Sequence, residues 1–348
     1  MPSEPADTDV RGIDAAPVSD WLAAHVDGAT PPFAFRMITG GHSNLTYAVT
    51  DARGERYVLR RPPLGAVLAT AHDMGREHKI IAAVAHTAVP VPQALALCTD
   101  EAVNGAPFYV MNFVDGHVLE EPDDVESVLA QPAQRVALSE AVVDALAALH
   151  TADVDAIGLG DLARREAYLD RQLKRWRGQW EKSKTRELPA MEEVYEALLA
   201  SKPEQRYTGV VHGDYRLGNM LARADGTIAA VLDWELCTLG DVLADVGYLL
   251  NNWAAPDEPA VRMIPTAAGG FLDREALVRR YAEKTGFAVG DIEYYRAFQY
   301  WRLAAIVEGV ASRYLQGVMG DPSADAGVFQ QQVDMLAAQA LQSIRTGS

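Results

Sequence analysis

The segment HGDYRLGN at residues 212–219 constrains this chain more than any other part of its sequence. Asp214 lies five residues before Asn219, and Asp233 ends an apolar run fourteen residues after Asn219. Phosphoryl transfer uses such a set: one carboxylate accepts the proton of an attacking hydroxyl, while an amide oxygen and a second carboxylate hold magnesium on the phosphates. We therefore predict that Asp214 is catalytic and that Asn219 and Asp233 bind Mg²⁺.

Short apolar runs on both sides of this segment favour a loop between two strands. A structural alternative is that Asp214 and Asn219 only form turns and that His212 packs in the core. The complete spacing, ending in an Asp after a strand, makes the catalytic interpretation the favoured one. Arg216 is also predicted to be catalytic, because its forked donors fit a transferred phosphate; a salt bridge within the loop is the alternative.

The first third of the chain is predicted to be rich in strands and the remainder helical. Hydrophobic patterns predict strands at 33–39, 45–50, 56–61, 94–98 and 107–114, and helices at 18–26, 74–86, 134–150, 164–182, 190–200 and through most of the chain after Val242. We expect an α+β fold with a disordered tail over 1–17, an N-terminal lobe over 18–115 and a mainly helical C-terminal lobe over 116–348.

Composition limits the partners and the cellular setting. The net charge of −17 argues against nucleic acid, whose phosphates this surface would repel. No apolar run is long enough to span a membrane, and the acidic N-terminus has no apolar secretory segment. Cys98 and Cys237 form neither a metal-binding spacing nor a disulfide framework, which fits a reducing, cytoplasmic setting. The oligomeric state stays open.

The combined pattern resembles the aminoglycoside phosphotransferase and choline kinase superfamily. HGDxxxxN, the hydrophobic strand that follows and DWE carry the resemblance, which covers roughly residues 33–260; Gly213 stands where protein kinases usually have Arg. The resemblance implies a two-lobed protein-kinase-like fold with a five-stranded N-terminal lobe. It also implies ATP and Mg²⁺ as cofactors and a small-molecule hydroxyl as the acceptor. No APE motif follows Asp233, which argues against a protein kinase.

The resemblance further implies which residues of the N-terminal lobe meet the nucleotide. Kinases place a phosphate-binding Lys at the end of the third strand, where this chain has Arg60, with Glu77 on the next helix as its expected partner. Arg61 is adjacent, so the register stays open by one residue. The glycine-bearing turn and the hinge are expected to supply Gly41, His42, Ser43, Asn44, Met111 and Phe113. A plain hairpin turn and an edge strand would make the same local prediction.

The segment LGDVLAD after Asp233 resembles the family's GDPxxD segment, with Val242 in the place of the proline. We assign Asp241 and Asp245 a structural role, capping a helix and holding the catalytic loop from behind. A metal-binding role for Asp241 is the alternative.

Within the superfamily one branch is the most similar. GGHSNLTY, YVLRRPP, REH, VPVP, HGDYRLGN and VLDWELCTLGD together resemble the kinase domain fused to acyl-CoA dehydrogenases and related free-standing bacterial phosphotransferases. By analogy, this branch implies phosphorylation of hydroxylated fatty acyl groups. We expect no dehydrogenase domain within 348 residues.

The basic segment 164–186 bears on the acceptor. On a helix, Leu169, Leu173, Trp176 and Trp180 would form one apolar stripe, and Arg164, Arg171, Arg175 and Lys182 the opposite face. These arginines fit an anionic acceptor such as an acyl-CoA, whereas an ordinary solvated face is the alternative. Glu235, next to Trp234, is a further expected substrate contact.

Two other functions compete with this one. The first is a kinase directed at aminoglycosides or other amino alcohols. The second is a catalytically weak nucleotide-binding scaffold of the same fold, which Arg60 in place of Lys favours.

Overall fold

The computed structural model describes residues 10–39, 44–65, 72–255, 263–317 and 326–347. Its helices are α1 (Ala15–His25), α2 (Met74–Val84), α3 (Glu101–Asn104), α4 (Pro122–Val128), α5 (Pro132–His150), α6 (Tyr168–Ser183), α7 (Pro189–Ala200), α8 (Leu243–Asn251), α9 (Arg274–Thr285), α10 (Ile292–Leu315) and α11 (Ala326–Gly347). Its strands are β1 (Ala34–Thr39), β2 (Leu45–Thr50), β3 (Arg56–Arg61), β4 (Ala94–Cys98), β5 (Phe108–Asn112), β6 (Thr208–Val211), β7 (Met220–Ala222), β8 (Ile228–Val231) and β9 (Thr238–Asp241).

The chain divides into two compact units. The first consists of Met1–Gly116 together with Ala229–Glu235, and the second of His117–Ile228 together with Leu236–Ser348. Asp233 therefore belongs to the first unit, although more than a hundred residues of the second unit precede it in the chain. The sequence-based prediction of two consecutive lobes, 18–115 and 116–348, did not place residues 229–235 in the first unit.

The first unit is built on an antiparallel sheet with the strand order β1-β2-β3-β5-β4. This confirms the five predicted strands. Helix α1 covers one face of the sheet, where Leu22 packs with Tyr47, Leu59 and Phe108 in a buried cluster. Because successive residues of a strand point to opposite faces, the pairing of β3 with β2 and β5 decides where each of its arginines points.

The second unit is mainly helical, as predicted. Helix α10 packs against α6, α7, α8 and α11, and Phe298 and Trp301 on it are fully buried. Gly247 on α8 permits the close approach of α10, because a Cβ atom there would lie 2.7 Å from the backbone of Tyr295. No helix in the described ranges is long and apolar enough to cross a membrane.

Two helix starts and four short elements differ from the sequence-based expectation. Helix α1 begins at Ala15, inside the segment that was expected to be disordered. Helix α6 begins at Tyr168 and not at 164, because Ala167 before it adopts a left-handed backbone with φ 50°. Arg164 therefore lies in the preceding loop and not on the helix face. The short helices α3 and α4 and the strands β7 and β9 were not predicted, since a few residues carry too little periodicity.

Candidate active site

The backbone of the loop after β6 is held by one buried carboxylate. Asp245 lies in the first turn of α8, and its Oδ2 and Oδ1 atoms accept hydrogen bonds from the backbone N–H groups of His212 (2.6 Å) and Gly213 (2.9 Å). Gly213 has φ +86°, and a Cβ atom there would lie 2.9 Å from the carbonyl oxygen of Leu236. The predicted role of Asp245 in holding the loop from behind thus agrees with its geometry.

A histidine and a tyrosine complete this buried network. The hydroxyl of Tyr281 lies 2.8 Å from Nδ1 of His150, and Nε2 of His150 lies 3.3 Å from Asp245. Burial lowers the pKa of His150, so the imidazole is neutral, accepting at Nδ1 and donating from Nε2. Burial raises the pKa of Asp245, but the hydrogen bonds from His150 and Gly213 outweigh it and hold that pKa below its ordinary value.

The neutral state of His150 predicts a pH dependence of stability. Below its ordinary pKa of 6.5 the unfolded chain takes up a proton at this residue that the folded chain refuses, so the free energy of unfolding falls as pH falls. The slope from one such group is at most about 1.4 kcal/mol per pH unit. Denaturant unfolding of the wild type and of His150→Gln, which keeps a donor but cannot titrate, should show a steeper fall in the wild type between about pH 7.5 and 5.5. Identical slopes in the two proteins would contradict this assignment.

The Asp214 carboxylate is held on both of its oxygens. Oδ2 accepts a hydrogen bond from Nδ2 of Asn219 (2.6 Å), and Oδ1 accepts one from the hydroxyl of Tyr248. The Asp214 side chain keeps 22% of its surface exposed, so it is ordered and accessible. The Oδ1 atom of Asn219 accepts no hydrogen bond from the described residues, and it therefore remains able to bind a cation.

Arg216 forms ion pairs, as the salt-bridge alternative predicted. Its Nη1 lies 3.1 Å from Oε2 of Glu120, and its Nε lies 3.7 Å from Oδ1 of Asp214. A cavity of about 210 Å³ adjoins it, lined among others by Glu120, Glu121 and Asn252. A phosphate contact by Arg216 stays a prediction.

In the first unit, Arg60 is the centre of an acidic cluster. Its Nε lies 3.0 Å from Oε1 of Glu77, and its Nη2 lies 2.6 Å from Oδ1 of Asp233 and 3.8 Å from Oε2 of Glu235. Arg61 points elsewhere, because its Nη1 donates to the carbonyl oxygen of Gly12. The open register is thereby decided: Arg60, and not Arg61, is the cation beside Asp233.

The acidic partners of Arg60 are unequal. Glu77 is almost completely buried, and burial raises its pKa to about 7, against the attraction of Arg60. Asp233 keeps 29% of its side chain exposed and has a left-handed backbone, φ +63°, which is uncommon outside glycine and frequent at functional sites. Glu235 lies in this cluster, where Asn44 donates to it at 3.3 Å. The sequence analysis had instead predicted that Glu235 contacts the acceptor substrate.

The other expected nucleotide contacts are located less fully. Asn44 also contacts Glu77 at 3.4 Å, whereas Gly41, His42 and Ser43 lie outside the described residues. Two further contacts were expected at the hinge: Met111 is buried on β5, and Phe113 follows that strand with the guanidinium of Arg56 over its ring at 4.2 Å. Contact of these residues with adenine stays a prediction.

The donors fit magnesium. Asn219 offers an amide oxygen and Asp233 a carboxylate, the hard oxygen ligands that Mg²⁺ prefers. In the part of the chain that the structure describes, no group of three or more His, Cys, Asp or Glu side chains forms a complete metal cage.

Arg171, Arg175 and Arg302 are among the guanidinium groups of the second unit that have no carboxylate within 4.0 Å in the described part of the chain. Arg175 and Arg302 lie over the ring of Trp176, at 5.2 and 5.4 Å from its centroid, and Arg302 lies 5.8 Å from that of Tyr248. The predicted apolar stripe of α6 is buried at Leu169, Leu173 and Trp180 and half-buried at Trp176.

Arg164 and Arg171 were expected to lie on one face of a helix, but Arg164 lies before α6 and accepts a hydrogen bond from Arg171 through its backbone. Nη2 of Arg171 donates to the backbone carbonyl of Arg164 (2.6 Å), and Arg164 is paired at 3.7 Å with Glu166. Sequence reasoning missed Tyr248 and Arg302. The spacing of Tyr248 from Asp245, three residues on one helix, is the signal that would have found the first.

The chain is similar in sequence to one family model and to two longer curated proteins. The family model described as "Phosphotransferase enzyme family" matches residues 34–282. The chain is 34% identical over 302 residues to mouse acyl-CoA dehydrogenase family member 10, covering 83% of this chain and 27% of that protein. It is 32% identical to human acyl-CoA dehydrogenase family member 11, covering 95% and 43%. The chain thus spans less than half the length of these curated relatives.

Solved structures show the same fold. A crystal structure from Ralstonia eutropha, described as a "putative aminoglycoside phosphotransferase", has a TM-score of 0.82 and 34% identity, covering 96% of this chain and 98% of that one. The aminoglycoside phosphotransferase APH(4)-Ia in complex with AMP-PNP and hygromycin B has a TM-score of 0.61 and 16% identity, covering 95% and 99%. The structure of amicoumacin kinase hAmiN with AMP-PNP and Ca²⁺ has a TM-score of 0.60 and 17% sequence identity, covering 96% of this chain and 94% of that one. At these lower identities the likeness concerns the fold alone, which is kinase-like.

Proposed function

The chain belongs to the phosphotransferase enzyme family, and on that premise we propose that it transfers the γ-phosphate of ATP, with Mg²⁺, to a hydroxyl group of a small molecule. The observation that carries the proposal is the Asp214 carboxylate. It is oriented by hydrogen bonds on both oxygens, yet part of its surface is accessible. A carboxylate in that state suits a general base.

The proposed step transfers one phosphoryl group from ATP to the acceptor hydroxyl. The acceptor hydroxyl gives its proton to Asp214, its oxygen forms a bond to the γ-phosphorus, and the bond from that phosphorus to the β-phosphate oxygen breaks, releasing ADP. Asn219 and Asp233 would hold Mg²⁺, which when bound neutralises charge on the phosphates. Arg60, anchored on Glu77, would supply a further positive charge to them.

An anionic acceptor is supported by the contacts of the second unit. From Asp214, a continuous series of contacts leads through Tyr248 and Arg302 to Trp176 and Arg175. Its two guanidinium groups have no carboxylate within 4.0 Å among the described residues. Positive charge that no carboxylate of the described residues neutralises, beside aromatic rings, fits a carboxylate- or phosphate-bearing acceptor such as an acyl-CoA.

The substrate preference predicts a split between the two Michaelis constants. Arg171→Glu/Arg175→Glu is expected to raise KM for the anionic acceptor about tenfold, because each reversal replaces attraction by repulsion, and to leave KM for ATP within about twofold. Lys174→Glu, an exposed reversal on the same helix, is the matched control. Steady-state kinetics in both substrates measures the split. An unchanged acceptor KM in the double variant would remove the anionic preference.

A cationic acceptor is the second candidate, and one observation favours it. The cavity beside Arg216 is lined by Glu120 and Glu121, and acidic groups suit an amino alcohol or aminoglycoside. ADP release with a panel of hydroxyacyl-CoAs, hydroxy acids and aminoglycosides would decide between the two. The function itself would be refuted if no acceptor stimulated ADP release that disappears without Mg²⁺.

A further inference from the structure

We propose that Tyr248 is a positioning residue for Asp214, a role that rests on the proposed function. Its hydroxyl donates to Oδ1 of Asp214, while Nδ2 of Asn219 donates to Oδ2. With one donor on each oxygen, the carboxylate cannot rotate about its Cβ–Cγ bond without losing a hydrogen bond. Each oxygen keeps a second lone pair, so one remains for the acceptor hydroxyl.

Helix α8 aligns the catalytic loop at two levels. Asp245 accepts from the backbone N–H groups of His212 and Gly213, and Tyr248, three residues later on the same face of α8, holds the side chain of Asp214. Helix α8 therefore fixes the position of both the loop backbone at residues 212–213 and the Asp214 carboxylate. Groups that react must be held closely, because a misplacement of about 1 Å can cost about 100-fold in rate.

Helix α10 supports the tyrosine itself. Arg302 lies 5.8 Å from the centroid of the Tyr248 ring, and its Nη1 and Nη2 atoms lie 3.1 and 3.2 Å from the carbonyl oxygen of Gly213. Gln299, on the same helix, donates to the carbonyl oxygen of Ala244 on α8 at 2.8 Å. Tyr248 is only 8% exposed, so its ring has little freedom to leave Asp214.

The experiment compares Tyr248→Phe with Tyr294→Phe. Tyr294 is also 8% exposed and donates its hydroxyl to the carbonyl oxygen of Leu198, away from the catalytic loop. We expect Tyr248→Phe to lower kcat about 10- to 100-fold, because the Asp214 carboxylate loses the hydrogen bond that orients it. KM for ATP should be unchanged, and the thermal unfolding temperature should be close to that of the control. Tyr294→Phe should keep the wild-type kcat.

A second readout does not depend on activity. In protein labelled with ¹³C at tyrosine Cζ, the resonance that disappears in Tyr248→Phe should shift in Asp214→Asn and stay in place in Tyr294→Phe. A resonance unmoved by Asp214→Asn would overturn the proposal, as would an unchanged kcat or a kcat loss matched by the control. If the wild type phosphorylated no acceptor, the proposed function and the kinetic role of Tyr248 would both fall. The resonance would then show whether the contact exists without that role.

Discussion

Asp214→Asn is expected to lower kcat by about 100- to 10,000-fold. Asparagine has nearly the shape of aspartate but cannot accept the proton of the acceptor hydroxyl, so the general-base contribution is lost. Nucleotide binding should survive, because the residues expected to contact the phosphates are others. ADP release measures the first effect, and the shift of the unfolding temperature by ATP and Mg²⁺ measures the second.

Asp225→Asn is the matched control. Asp225 is an exposed turn residue of the second unit whose carboxylate accepts from Thr227 at 2.9 Å, so its replacement should leave kcat unchanged. A wild type that binds nucleotide but shows no turnover that Asp214→Asn removes would favour the scaffold interpretation. Turnover that persists in Asp214→Asn would show that this carboxylate is not the base.

Asp245→Asn is expected to lower the free energy of unfolding by about 3 kcal/mol. The carboxylate is fully buried, and it accepts from two backbone N–H groups and from His150. An asparagine offers one acceptor atom and turns its NH₂ group toward donors, so at least one buried donor loses its partner. Each unsatisfied buried donor costs about 1–3 kcal/mol of stability, and a charge-assisted hydrogen bond is lost as well. Denaturant unfolding measures the change. Activity should fall as well, since the loop loses its anchor.

Asp170→Asn is the comparison for this variant. Asp170 is more than half exposed and pairs with Lys202, and exposed ion pairs contribute about 0–1 kcal/mol. Equal stability of Asp245→Asn and Asp170→Asn would mean that the loop does not depend on the buried carboxylate.

Local spacing predicted the parts of the site that are close in sequence. Asp214 and Asn219, five residues apart in one loop, are in contact, and Asp245 holds that loop in the structural role expected for it. The five strands of the first unit followed from their hydrophobic pattern because strands and helices have different periods. These features depend on interactions over a few residues, which a sequence displays directly.

Long-range contacts were not predictable in this way. Tyr248, Arg302 and Glu120 contact residues of the loop 212–219 from which they are separated by 34, 89 and 96 positions. No local pattern marks Arg302 or Glu120, and Tyr248 is marked only by its spacing from Asp245 on α8. Arg60 and Arg61 are the same residue type at adjacent positions, so only the pairing of β3 with its neighbours could decide between them.

The sequence by itself determined which reactive groups the proposed site contains: a carboxylate, an amide and a second carboxylate at fixed spacings. The tertiary structure alone decided the partners of those groups: which arginine meets Asp233, which tyrosine holds Asp214, and where Glu235 lies. The physical reason is that side-chain type is written in the chain, whereas distance between remote residues arises only when strands pair and helices pack.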